Sequence, residues 1–205
     1  ANKIIENHPK LSSKINPEAM RIAGYMHDFG KMDIGGPYHE IESAWKTLFN
    51  GKSLGLVSGG TPEESWEVLR RASLSLPADY ALYEEMGNDF PKTALYPSFA
   101  TDNLVAKTTD LLKALTLTPQ KPLTIQSLTT PNTLEKMIAC YADMTDIQGT
   151  GALVDERLDE IVTRYRKWGS EGGPEAHYYE TEANLTLQIA PRIKAVVGVI
   201  DELLA

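Results

Sequence analysis

The chain is predicted to be all-α, a single-domain helical bundle, on three observations. Apolar residues recur every three or four positions along most of the 205 residues, the period of helices with one buried face. Helix-start signals precede such stretches, as in Asn16-Pro17-Glu18 and Thr61-Pro62-Glu63-Glu64, while the alternation of a strand is rare. With 42% apolar and 23% charged residues, the chain can bury one sizeable core, and its length suits one domain of about 100–200 residues. There is no internal repeat and no low-complexity tract.

The opening Ala1-Asn2-Lys3-Ile4-Ile5 reads as the tail of a helix already under way, so residues are expected upstream. Asn16 caps the next helix, Pro17 takes its first turn and Glu18 complements its dipole. Its apolar face carries Ile22, Ala23, Tyr25 and Met26, and it is expected to end at Gly30. A Gly- and Pro-containing loop over 32–38 leads into a helix from His39 through Ile41, Ala44, Trp45, Leu48 and Phe49, stopping at Asn50-Gly51. Thr61 and Glu64 form a capping box for a third helix with Trp66, Val68, Leu69 and Ala72, ended by Pro77.

A fourth, shorter helix is predicted over 78–86 and a fifth over 101–115, with Leu104, Val105, Leu111 and Leu112 on its apolar face. Three prolines make 117–131 a loop with one short extended piece. From Thr133 a helix carries Leu134, Met137, Ile138 and Tyr141 and ends between Asp143 and Asp146. Two more follow, over 154–168 with Leu158, Ile161, Val162 and Tyr165, and over 174–204 with a kink at Pro191. The glycines of 169–173 make a connection between these two.

A formal charge of −8 and a pI near 5.1, with no basic run, exclude a dedicated nucleic-acid polymer binder, because that affinity comes from clustered Lys and Arg releasing counterions. A small phosphorylated substrate stays compatible, since a few local cations can overcome the global field. The single cysteine, Cys140, lies in an apolar run and can form no internal disulfide; it reads as a buried thiol in a reducing, cytoplasmic setting. No stretch approaches the roughly 18 apolar residues of a membrane span, and the N-terminus has no signal-peptide pattern.

The most informative segment is Ala23-Gly24-Tyr25-Met26-His27-Asp28-Phe29-Gly30-Lys31. An imidazole, a carboxylate and a flexible cation meet where a helix ends. Mixed His and Asp donors suit divalent ions from Mg and Mn through Fe, Co and Ni to Zn. Neighbours on a helix point about 100° apart, so both reach one ion only at the helix end, with other helices completing the set. Much later, Ile138-Ala139-Cys140-Tyr141-Ala142-Asp143 closes another apolar helix on a carboxylate.

These two landmarks, in this order, resemble the HD-domain superfamily of metal-dependent phosphohydrolases. The first is similar to that family's signature of an Ala-Gly helix ending in His-Asp, an apolar residue, Gly and Lys; the second is similar to its late helix ending in Ala-Asp. The resemblance covers roughly residues 1 to 168. It implies an HD-type helical bundle with core helices over about 1–50 and 132–168; the tract over 54–131, which separates the two landmarks and carries aromatics, is expected to form the pocket, and the C-terminal helix over 174–204 lies beyond the resemblance.

By position, the resemblance makes His27, Asp28 and Asp143 metal ligands, and implies a further His on the preceding helix, upstream of Ala1. Asp28 would also orient or deprotonate the nucleophile, and Lys31 would hold a phosphoryl oxygen. His39, in His39-Glu40-Ile41-Glu42-Ser43-Ala44, resembles an element that approaches the substrate phosphate or a second metal; it reads equally as an exposed helix residue. The implied activity is hydrolysis of a phosphate ester or anhydride of a nucleotide or other small metabolite, dependent on a divalent metal ion, with no membrane or nucleic-acid polymer as partner. The alternative is a non-catalytic helical binding or signalling module that has lost a metal ligand.

Other candidates read as structural. His8 lies beside Pro9 in a loop, and His177 is a helix histidine flanked by carboxylates. Asp33 is a turn residue, and Asp146 is a weaker candidate than Asp143 for the distal ligand. Arg157 and Arg164 share a helix face and are expected to pair with carboxylates. Tyr80, Tyr83, Phe90, Tyr96 and Phe99 are expected to line a pocket or core.

Overall fold

Asn16 begins the helix that carries the motif: its side-chain oxygen accepts from the Ala19 N–H at 2.9 Å, Pro17 fills the first position, and Glu18 sits in the first turn. The computed structural model describes residues 2–32, 39–76, 101–124, 130–146, 149–173 and 176–205, and these are all-helical. Their α-helices are α1 (Asn2–Asn7), α2 (Pro9–Ser12), α3 (Pro17–Met26), α4 (His39–Asn50), α5 (Pro62–Ser75), α6 (Thr101–Leu115), α7 (Leu134–Met144), α8 (Val154–Ser170) and α9 (Ala176–Leu204). One isolated bridge, Thr118 to Lys121, is the extended piece of the loop after α6. The helix predicted over 78–86, the five aromatics of the insert and Asp33 lie outside the described residues.

Three boundaries differ from expectation, one of them the end of α8, which runs on to Ser170 rather than stopping at 168. The short α2 opens directly on Pro9, which takes the first helical position. Helix α3 stops as an α-helix at Met26 rather than Gly30, and the chain tightens into a 3-10 turn over Phe29–Met32. The cause is tertiary, because Gly30 lies against the start of α4. Its N–H is taken by the Ser43 hydroxyl at 2.7 Å instead of by a carbonyl of its own helix.

The capping box of α5 is complete, with Glu64 N–H donating to Thr61 Oγ1 at 3.2 Å and Thr61 N–H to Glu64 Oε2 at 2.8 Å. Thr133 caps α7 by accepting from Lys136 N–H at 3.3 Å. Helix α9 runs 29 residues through Pro191, about 44 Å at 1.5 Å per residue. The proline removes the donor that would serve the Leu187 carbonyl, and Leu187 is exposed, where water can serve it.

The main core joins Ile22, Ala23 and Met26 of α3 to Ile41, Ala44 and Leu48 of α4, Leu69 and Ala72 of α5, and Leu111 and Leu115 of α6; Leu158 of α8 and Leu185, Ile189, Ile193 and Val197 of α9 close it. Each Leu, Ile, Val or Met among these contributes about 1.5–3 kcal/mol by leaving water. A smaller cluster joins Ile15, Met20, Ile138 and Ile200, and so ties α3, α7 and α9 together. Cys140 is buried as expected. Tyr25 is a correction: expected on the apolar face of α3, it is 71% exposed, because it lies one turn before Asp28 on the face that turns away from the core. Among the described residues, no helix is long and apolar enough to cross a membrane.

Small hydroxyls let α4 lie close to its neighbours. Ser73 Oγ on α5 donates to the Ala44 carbonyl at 2.7 Å, and Thr47 Oγ1 donates to the Ser43 carbonyl at 2.7 Å. On another face of α4, Glu42 is 1% exposed and takes both carboxylate bonds from Lys107 Nζ of α6, at 2.6 and 2.5 Å. Trp45 lies beneath the Lys107 ammonium, 4.9 Å from nitrogen to ring centroid.

Candidate metal centre

The turn after α3 gathers three of the candidate side chains around a fourth, the Asp28 carboxylate. Asp28 Oδ1 accepts from Lys31 Nζ at 2.6 Å and lies 3.4 Å from His39 Nε2. Its other oxygen, Oδ2, faces His27 Nε2 at 3.7 Å. Lys31 reaches back because the 3-10 turn closes from Asp28 itself, the Lys31 N–H donating to the Asp28 carbonyl at 3.0 Å. His39 arrives from the first turn of α4, twelve residues after His27 in sequence (39 − 27 = 12).

The hydrogen-bond pattern fixes the His27 ring. Nδ1 lies 2.8 Å from the Gly24 carbonyl oxygen, which can only accept, so Nδ1 donates there and in the neutral ring Nε2 is the nitrogen that carries the lone pair. A ring nitrogen held by a backbone carbonyl while the other is free is the usual arrangement of a metal-ligating histidine. The 3.7 Å between Nε2 and Asp28 Oδ2 is too long for a hydrogen bond. It is short enough for one ion with bonds of about 2.1 Å to touch both atoms.

Asp28 is held well below the usual carboxylate range. The hydrogen bond from His39 lowers it most; partial burial works in the opposite direction, and the bond from Lys31 and the charges of His27 and Lys31 add to the lowering. The carboxylate is therefore ionised near neutral pH. His39 is the enclosed member, its side chain 13% exposed, whereas His27 and Lys31 are 54% and 53% exposed. Solvent and small solutes thus reach the His27 and Lys31 side of Asp28, with His39 behind it.

The third ligand implied by resemblance stands apart from this cluster. Asp143, in the last turn of α7, pairs with Arg157 of α8 at 3.2 Å through Oδ1, and its carbonyl accepts from Arg157 Nε at 3.2 Å. Among the described residues, no group of three or more His, Cys, Asp or Glu is assembled for a metal. The donor chemistry of His27 and Asp28 therefore fits one edge of a divalent-ion site, and Asp143 is engaged elsewhere in this state.

The remaining candidates fall where the simpler readings put them. Arg157 and Arg164 both pair with Glu160, at 2.7 and 3.0 Å. Asp146 accepts from the Gly149 and Gly151 N–H groups at 2.9 and 3.3 Å, and these bonds lower its pKa. His8 precedes α2 without a side-chain cap bond, and His177 lies in the first turn of α9.

Sequence reading missed the residue that joins the two halves of the centre. Ser43, fully buried, accepts from Gly30 N–H and donates to the His27 carbonyl at 3.1 Å. The available signal was a small hydroxyl one helical turn after His39.

No family model, no curated protein and no solved structure matches the chain.

Proposed function

We propose that the protein is a metal-dependent phosphohydrolase of the HD type, which cleaves a phosphate ester or anhydride of a nucleotide or other small phosphorylated metabolite. The observation that supports it most directly is the His27 ring, pinned through Nδ1 to Gly24 with Nε2 turned toward the Asp28 carboxylate.

A divalent ion held by His27 Nε2 and Asp28 Oδ2 would supply a nucleophilic water near neutral pH and draw charge from the phosphoryl oxygens. Asp28, its pKa lowered by its neighbours, accepts the hydrogen bond that orients the nucleophile. Lys31 is tethered at rest to Asp28 Oδ1, and its exposed, flexible stem lets the ammonium transfer to a phosphoryl oxygen of the substrate. His39, on the same oxygen of Asp28, holds that carboxylate in place. The HD-type bundle and the pocket-forming role of 54–131 belong to the same proposal.

The test is phosphate release from a panel of nucleotides and phosphate monoesters with Mn²⁺, Co²⁺, Ni²⁺ or Mg²⁺, alongside calorimetric metal binding. Asp28→Ala should abolish both metal-dependent release and tight metal binding while leaving the helical circular dichroism unchanged. Wild-type rates in that variant would refute the assignment.

The Asp143–Arg157 ion pair favours a second reading, a non-catalytic helical binding module in which this carboxylate is structural. Calorimetry separates the two, since a module of that kind takes up no stoichiometric divalent ion at His27.

A further inference from the structure

We infer that Ser43 is the positioning residue of the Asp28 centre, the group that sets the separation between the His27-Asp28 turn and His39. The inference deepens the phosphohydrolase reading and rests on it for its catalytic consequence. The geometric part stands on the Ser43 contacts alone.

Where α3 ends, backbone groups lose their intrahelical partners, among them a carbonyl at the helix end and an N–H of the following 3-10 turn. These are the His27 carbonyl and the Gly30 N–H, and they bracket Asp28. One hydroxyl satisfies both. Ser43 Oγ donates to the first at 3.1 Å and accepts from the second at 2.7 Å. Ser43 is 0% exposed, and an unmet buried amide or carbonyl is costly.

The second half of the device is the spacing along α4. His39 lies four residues before Ser43, one turn along the same face. The bond that ties the turn to Ser43 therefore also fixes how far Asp28 stands from His39. Gly30 makes that approach feasible: a Cβ there would lie 2.0 Å from the His39 carbonyl oxygen and 2.9 Å from Glu42 Cβ. A bare glycine in contact and a hydroxyl as staple together bring the turn against α4. With the staple removed, the turn is free to drift, and a displacement near 1 Å costs about 100-fold in a reaction that depends on placement.

The experiment compares the wild-type chain with Ser43→Ala, which removes both bonds, and Ser43→Cys, which keeps nearly the same volume but bonds weakly. The metal-free readout is the imidazole ¹⁵N spectrum, with Asp28→Asn as the reference for a His39 that has lost its carboxylate. In both Ser43 variants the His39 Nε2 signal should move toward that reference while circular dichroism keeps the helical signature. In the metal-loaded chain, kcat should fall about 100-fold with KM changed less than about threefold.

A His39 signal unchanged in both variants overturns the inference. So does a Cys variant that keeps the wild-type signal where Ala loses it, since volume rather than hydrogen bonding would then place the turn. If Ser43→Ala does not fold, Ser43→Cys carries the same decision. An inactive wild-type chain would sink the phosphohydrolase reading and leave the spectroscopic result standing.

Discussion

Gly30 and His39 are in backbone contact: a Cβ built on Gly30 would sit 2.0 Å from the His39 carbonyl oxygen, nearer than any non-bonded carbon and oxygen can lie. The contact sets how close the motif turn comes to α4, and every distance between Asp28 and His39 depends on it. Gly30→Ala must push the two apart. Destabilisation of about 1–3 kcal/mol is expected, the usual range for overpacking, with loss of the His39 approach to Asp28. Urea unfolding measures the first and the His39 ¹⁵N signal the second. A variant of unchanged stability and spectrum would contradict the close contact.

Glu42 and Lys107 join α4 to α6 in a pair from which water is largely excluded. Glu42→Gln leaves the Lys107 ammonium against Trp45 without its carboxylate, with Lys46, 3.8 Å from Glu42, deprived of the same counter-charge. Breaking such a pair from one side costs about 3–5 kcal/mol. Replacing both partners, as Glu42→Leu with Lys107→Met, should recover most of that loss. Chemical denaturation of the two variants checks it, and equal losses in both would show that the pair is not the cause.

Lys136 is 2% exposed in the first turn of α7, with Nζ donating to the Thr130 carbonyl at 3.3 Å. Burial pushes its ammonium down from 10.5 to about 8. Below pH 8 both folded and unfolded chains are protonated there, and the folded state bears the cost of a buried charge. Between pH 8 and 10.5 the unfolded chain binds the extra proton, so stability rises with pH and levels off above. The rise is on the order of 3 kcal/mol (10.5 − 8 = 2.5 pKa units). Lys136→Met should be more stable than wild type at pH 7 and show no such rise. Thermal midpoints across pH 7 to 10.5 decide it.

Much of the fold is written locally. The Asn16, Thr61 and Thr133 starts are where the caps place them, and α4 and α6 have their predicted limits, because caps and periodicity act within a few residues of chain. The misjudged points are set by contacts distant in sequence. Tyr25 has the same apolar character as Met26, and only the position of α4 and α5 decides that one faces the core and the other solvent. The end of α3 moved for the same reason, since Ser43 competes for the Gly30 N–H from thirteen residues away.

By itself, the sequence determined an all-α chain, the limits of most described helices, and a motif that sets an imidazole, a carboxylate and an ammonium at a helix end. Those features follow from hydrogen bonding and side-chain periodicity over a few turns. The tertiary structure alone decided which groups meet: Lys31 and His39 on one oxygen of Asp28, His27 on the other, Ser43 behind the turn, and Asp143 with Arg157. Such distances depend on how helices pack, and packing is a balance of buried surface and close contact that no local stretch of chain encodes.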